Sequence, residues 1–388
     1  MLDSPATVYL LILIVCAAIV RLTVMRKVPT PTAGGAIVMA IGIFGLAAMQ
    51  RIPWLASFLS EPLALVLSVI WLFTAASYLI DFLKGTLHVH TESPIGRFGI
   101  GTWVAGTVVL ARMDMVGVKD WSLQVEAILG LVALLLWGWY LRLVFDGFKA
   151  MRACHERLQT RGVILLTTVS TQAIALVAFD FAYNPPLFQW LDPVVSRVLF
   201  AGIGTVLIVL GTAFYFVGAG LILQRYWRQK DWTLVQDWDN TNCILHGAMS
   251  ITGLASVLSG TIPVIICLST WLYVLTMFIL VELIELLRAY LRVRSLGWRE
   301  GLFSYHVSQW ARNFTFGMFF AFTWAFTKHY EIYLTSDLAN LFRWILTYGQ
   351  YLVLAFLLLE IGLYLIAHVE VRFSSRLRIP ERARLRQG

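Results

Sequence analysis

The sequence predicts an all-α polytopic membrane protein, and three observations lead there. Of the 388 residues 59% are hydrophobic and mean hydropathy is +0.76. Only 13% are charged, against about 25% in soluble domains. The apolar residues recur in runs of about 17 to 28, each long enough at 1.5 Å per residue to cross a hydrocarbon layer about 30 Å thick. No polar segment between the runs reaches the size of a second domain, about 50 residues, so function must reside in the bundle.

Eleven runs stand out between charged residues or prolines. Residues 6–24 follow an acidic Met-Leu-Asp-Ser start, carry Arg21 and precede Arg26 and Lys27. That order predicts an uncleaved extra transmembrane helix with its N-terminus outside, not a signal peptide. Cys16 has no small residue before it, which argues against lipidation. The next runs cover 33–50, 62–83, 97–112, 122–145, 162–182 and 196–223. Runs 242–259 and 262–288 are divided only by the turn residues Ser259, Gly260, Thr261 and Pro263. Runs 310–328 and 340–369 complete the set, and the connections 146–161 and 288–309 read as short helices or helix extensions.

A formal charge of +8 could suggest nucleic acid, yet the basic residues sit between apolar runs and in the tail. With the N-terminus outside, 24 of the 30 Lys and Arg fall on the cytoplasmic side and 6 on the other. This asymmetry predicts a plasma or inner membrane protein with a cytoplasmic C-terminus and an odd number of spans. The expected organisation is an extra helix in 1–28, a transport domain in 29–371 and a basic tail in 372–388. Cys16, Cys154, Cys243 and Cys267 are scattered and read as free thiols.

The runs alternate in chemistry. Those starting near 62, 122, 196, 262 and 340 are rich in Leu, Val, Ile and Trp and suit lipid contact. Those starting near 33, 97, 162, 242 and 310 carry small and hydroxylated residues. Among these are Gly35, Gly101, Thr102, Thr168, Ser170, Thr171, Gln172, His246, Ser250, Thr252, Thr315 and Gly317. Such residues either let helix backbones approach closely or face a cavity. Five alternating repeats describe an inner ring within an outer one, and a central pathway is the simplest use of such a ring.

Five segments extend the reading. They are Ala36-Ile-Val-Met-Ala-Ile-Gly-Ile-Phe44, Ser93-Pro94 with Phe98-Gly-Ile-Gly-Thr-Trp103, Thr168-Val-Ser-Thr-Gln172, His246-Gly-Ala-Met-Ser-Ile-Thr-Gly-Leu-Ala255 and Trp310-Ala-Arg-Asn-Phe-Thr-Phe-Gly-Met318. In order and spacing they resemble the inner-helix motifs of the tellurite-resistance/dicarboxylate transporter family, which includes a bacterial tellurite-resistance permease and plant slow anion channels. The resemblance spans residues 33 to 369. It implies a ten-helix bundle of five hairpins with a pseudo-fivefold inner ring around an anion pore, and by family likeness a homotrimer. It also implies a phenylalanine gate in a Trp-x-x-x-Phe pattern, which Trp310 and Phe314 fit, with Phe316 as the alternative. The chain departs from the family in its extra N-terminal helix and in Thr315, where the family often has Pro.

An anion path needs favourable but weak contacts. The hydroxyl and amide donors of runs 162–182 and 242–259 either supply them or bond carbonyls one turn earlier. His246 is either a proton relay or an interfacial, hydrogen-bonded imidazole. Arg312 either draws anions to the pore mouth or reaches out to lipid phosphates. Glu282 and Glu285 are placed to pair with Arg288 or Arg292, while Asp180 has no legible partner. His88, His90 and Glu92 read as a chance cluster and not a metal site. No paired membrane histidines, HExxH, GxSxG or Walker loop is present, so no cofactor is expected. The expected function is transport of small inorganic or carboxylate anions. The alternatives are a membrane enzyme acting on a lipid-phase substrate and a scaffold subunit.

Overall fold

In hydrocarbon a chain must satisfy its own backbone hydrogen bonds, and a helix does so within one segment. The computed structural model describes residues 30–117, 122–151, 159–183 and 192–377, and these are helical with no strand among them. The expected helix at 6–24, the N-terminal orientation and the tail beyond residue 377 lie outside the described residues.

Ten principal helices run through the described chain. They are α1 Gly35–Ile43, α2 Pro53–Leu83, α3 Gly101–Gly117, α4 Ser122–Ala150, α5 Leu166–Tyr183, α6 Pro193–Arg228, α7 Ile244–Ser259, α8 Val264–Leu302, α9 Gln309–Tyr330 and α10 Ser336–Leu377. Seven, all except α1, α3 and α9, are long and apolar enough to cross a membrane. Helix α1 continues through a π turn at Phe44–Ala48, a wide turn often found at functional positions.

Local chemistry sets the ends. Asp192 accepts the N–H groups of Val194 and Val195 ahead of α6, and Pro193 occupies the first helical position. Gly260 takes a left-handed φ of 62° that stops α7, and Pro263 opens α8. Several helices are longer than their apolar runs, α2 and α8 among them. Helix α2 starts at Pro53 and carries Pro62 inside it. Helix α8 runs fourteen residues past Arg288, broken at Gly297, whose φ is 80°. Apolar length measures the hydrocarbon crossing, whereas a helix can continue into water on its own hydrogen bonds.

The helices form two layers. The apolar windows of α5 and α7 are 94% and 89% buried, against 22–33% for α2, α4, α6, α8 and α10. The latter expose Phe58, Phe82, Leu135, Val206, Leu223 and Leu287 on their outer faces, as lipid contact requires. The odd helices pack in a closed cycle: α1 on α3, α3 on α5, α5 on α7, α7 on α9 and α9 on α1. Each even helix lies outside this cycle against its odd neighbours.

A glycine stands at each of the five joints. Gly35 meets the Thr102 backbone, Gly101 meets Leu166, Gly162 meets Thr241, Gly247 meets Thr315 and Gly317 meets Ile43. With no Cβ in the way the backbones come close enough for dispersion contacts to hold them, the main attraction between helices in lipid. Indole hydrogen bonds tie the outer layer to the inner one. Trp71, Trp137 and Trp271 donate to Thr107, Thr171 and Thr323 at 2.9, 3.1 and 2.9 Å. Each bond links an even helix to the next odd one and satisfies an N–H that would otherwise be stranded in an apolar layer.

Candidate functional site

The inner helices enclose two cavities in line. The first, of about 360 Å³, is lined near the N-terminal ends of the odd helices by Ala36, Thr102, Leu166, Ile244 and Ala311. The second, of about 460 Å³, is lined further along the same helices by Ile43, Ala105, Leu176, Leu254 and Ala321. Among the described residues Phe314 alone borders both. Phe314 itself is 2% exposed.

The local sequence explains this position. The residues of α5 that face the cavities are Leu166, Ala173, Leu176 and Asp180, a helical spacing of seven, three and four. On α9 the same face carries Ala311, Phe314, Met318 and Ala321. The start of α9 is held from the side, where the Trp310 indole donates to the Tyr305 hydroxyl at 3.1 Å. Burial pushes that hydroxyl up to about 12. Beside Phe314 the walls are apolar, with Met39 on one side and Ile43, Ala173, Ile251 and Met318 on the other.

Charge appears only towards the ends of the path. In the first cavity Arg161 pairs with Asp239 at 3.2 Å, and His306 bonds Ser308 at 2.6 Å. In the second, Nη2 of Arg112 donates to both carboxylate oxygens of Asp180 at 2.7 Å, and Lys328 and His329 lie exposed at the rim. In the first cavity Arg161 and Asp239 balance and His306 adds an imidazole, whereas in the second Arg112, Lys328 and His329 lie with Asp180, and Glu126 stands beside the Arg112–Asp180 pair.

The polar residues expected on the path lie mostly elsewhere. Thr102 faces the first cavity while its hydroxyl donates to the Gly99 carbonyl. Ser170 and Thr171 both bond the Thr167 carbonyl. Ser250 bonds the His246 carbonyl, Thr252 that of Ala248 and Thr315 that of Arg312. Gln172 reaches outward to the Ile208 carbonyl on α6. Thr168 is fully buried with no hydrogen bond to its hydroxyl. Gly35, Gly101 and Gly317 fill joints of the ring. For these residues other than Thr102 the expectation of path lining is corrected: a hydroxyl in an apolar layer bonds its own helix, and small side chains serve helix contact.

Two further expectations are corrected. Phe316 does not border the axial cavities but packs outward, with ring centres 4.8 Å from Phe278, 5.1 Å from Phe356 and 6.3 Å from His246. It lies two residues from Phe314, which is a different helix face. Arg312 does not border the axial cavities but pairs off the axis, with Nη2 2.8 Å from Glu285 and Nε 3.7 Å from Glu282. Glu285 also pairs with Arg288 at 3.5 Å. His246 is off the axis and wholly buried, 3.8 Å from Glu282.

His88 and Glu92 form an exposed contact at 3.6 Å, and no metal-binding group of His, Cys, Asp and Glu occurs among the described residues. Cys243 and Cys267 are buried free thiols, and Cys16 and Cys154 lie outside the described residues. The mouth residues Arg161, Asp239, His306, Arg112 and Lys328 were not expected as site residues. Their only signal in the sequence is that charges cap the odd runs. No protein-family model, curated protein or solved structure matches this chain.

Proposed function

We propose that this chain conducts small anions across a membrane along the axis of its inner helices, with Phe314 as the constriction. The observation carrying the proposal is that one aromatic side chain divides two cavities, each lined by all five odd helices. An ion crossing the apolar collar sheds water without replacing it, so the closed ring is a barrier. The exposed Lys328 at the rim of the second cavity favours anions there by raising their local concentration. The collar itself offers no fixed charge that would trap them. In this reading the ten principal helices act as five hairpins and the first cavity opens to the cytoplasm. The five segments that resemble inner-helix motifs of the tellurite-resistance/dicarboxylate transporter family support the same proposal from the sequence side.

The test is flux from liposomes loaded with chloride, nitrate, sulfite, malate or tellurite. Phe314→Ala should raise flux of at least one anion by about tenfold or more, a barrier lowered by about 1.4 kcal/mol. Phe316→Ala is the control. It removes a packed ring, should lower folded yield and should not open the path. Equal flux for wild type and Phe314→Ala, at matched amounts of folded protein, would refute the constriction.

A further inference from the structure

A buried polar cluster lies off the axis, where α7, α8 and α9 meet. At its centre is His246, with 0% exposure and no hydrogen bond to either ring nitrogen. An imidazole in that state is costly to bury, and its nearest polar neighbour is Oε1 of Glu282 at 3.8 Å from Nε2. That oxygen also lacks a hydrogen bond. The separation is too long for a hydrogen bond yet short enough for an ion pair once one proton arrives.

Most of the other titratable groups around the pair have partners, and Glu360 keeps one buried oxygen unbonded. On α8, Glu285 takes both guanidiniums, Arg312 of α9 at 2.8 Å and Arg288 at 3.5 Å, and the Trp238 indole donates to its other oxygen at 2.8 Å. Cys243 precedes α7 and bonds the Asn240 carbonyl, and Glu360 of α10 faces Arg312. Tyr215 of α6 bonds Tyr273 of α8 and the Leu245 carbonyl. Helix α5 contributes no titratable residue before Asp180, which belongs to Arg112 near the other end. Glu282 is thus left with one guanidinium contact at 3.7 Å and the unbonded imidazole. A cavity of about 90 Å³ lined by Asn240, Glu285, Arg288, Gln309 and Arg312 adjoins the cluster. It is large enough to hold water.

We propose that His246 and Glu282 together bind one exchangeable proton, and that its arrival moves α9 and the Phe314 ring it carries. The proton is taken up from solution as hydronium by way of the adjoining cavity: one O–H bond breaks and releases water, one N–H bond forms at Nε2, and the Glu282 carboxylate closes on it as its partner. Glu282 then turns from Arg312, which lies two residues before Phe314. The next residue on each side, Gly247 after His246 and Thr315 after Phe314, meet at the joint between α7 and α9. The movement of the ring rests on the axial path proposed above, whereas proton binding does not.

The full chain, labelled with 15N-histidine in lipid nanodiscs, is titrated by NMR from pH 5 to 9. The His246 resonances are assigned by their loss in His246→Gln, or in His246→Asn if the first variant does not fold. The expected result is a one-proton titration at His246 whose midpoint falls by about one unit or more in Glu282→Gln. Anion flux in liposomes of the same proteins should depend on pH in wild type and be flat in His246→Gln and Glu282→Gln. His246 resonances that do not move, or a midpoint indifferent to Glu282→Gln, would overturn the proton site. A titrating His246 with variant flux profiles superimposed on wild type would overturn its link to Phe314. Absence of flux at every pH would overturn the axial path and leave the NMR titration to decide the proton site alone.

Discussion

Adding a single methyl group at Gly247 tests the joint that holds the Phe314 helix. A Cβ there overlaps the Thr315 methyl and lies 2.7 Å from Thr315 Cβ and 3.4 Å from its Cα. Thr315 cannot simply turn away. Its χ1 is stiff, and its hydroxyl donates to the Arg312 carbonyl at 2.9 Å. Breaking that bond costs about 0.5–1.5 kcal/mol. Separating α7 from α9 instead is ordinary overpacking, about 1–3 kcal/mol. Either route gives Gly247→Ala a loss of about 1–3 kcal/mol, read by reversible unfolding in mixed micelles of mild detergent and dodecyl sulfate. Gly138→Ala on α4 is the control, since a Cβ there meets nothing within 4 Å. Its stability should be unchanged or raised by up to about 1 kcal/mol. Adding Thr315→Ser deletes the clashing methyl and keeps the hydroxyl, so the double variant should recover about 1 kcal/mol or more. Equal stability for Gly247→Ala and Gly138→Ala, or no recovery with Thr315→Ser, would refute close approach as the role of Gly247.

Two other perturbations probe the charges. Arg112→Gln strands the Asp180 carboxylate, and with side chains 21% and 26% exposed the loss should fall below the about 3–5 kcal/mol of a fully buried pair. Adding Asp180→Asn should return part of that loss, and a double variant less stable than Arg112→Gln would contradict the pairing. The Asp237 carboxyl is held below the usual carboxylate range, chiefly by the Thr233 N–H at 2.7 Å. Its contribution is therefore fully present above the unfolded value of about 3.9 and lost as pH falls through the lower folded value. Asp237→Asn should be less stable than wild type at pH 7 and equal to it in strong acid. A stability gap that does not close on acidification would show that the hydrogen bonds to Asp237 do not depend on its charge.

Phe314 was singled out by the family resemblance, whose Trp-x-x-x-Phe pattern Trp310 and Phe314 fit. The alternation of small-residue and Leu-rich runs likewise corresponds to the buried and exposed helices. Composition, however, does not say which way a side chain points. Thr167, Thr171 and Gln172 share α5 with Leu166, Ala173 and Leu176, and the apolar members face the cavities while the hydroxyls bond within the helix or face an outer one. Long-range pairs were hidden for a different reason. Arg312 finds Glu285 and Asp180 finds Arg112 across helices whose adjacency no local pattern encodes.

The five glycine joints differ in how much chain separates their two sides. Four join consecutive hairpins, so each can form as soon as the next hairpin emerges and settles against the last. The fifth, Gly317 against Ile43, unites the first described helix with the ninth and must wait until nearly all the intervening chain has been made. Until then α1 and α7 each present an unpaired inner face, and lipid or a neighbouring chain can occupy the open side. The Phe314 helix is the piece that closes the circle. The step that closes the inner ring is thus also the one that first gives the two cavities a wall on every side.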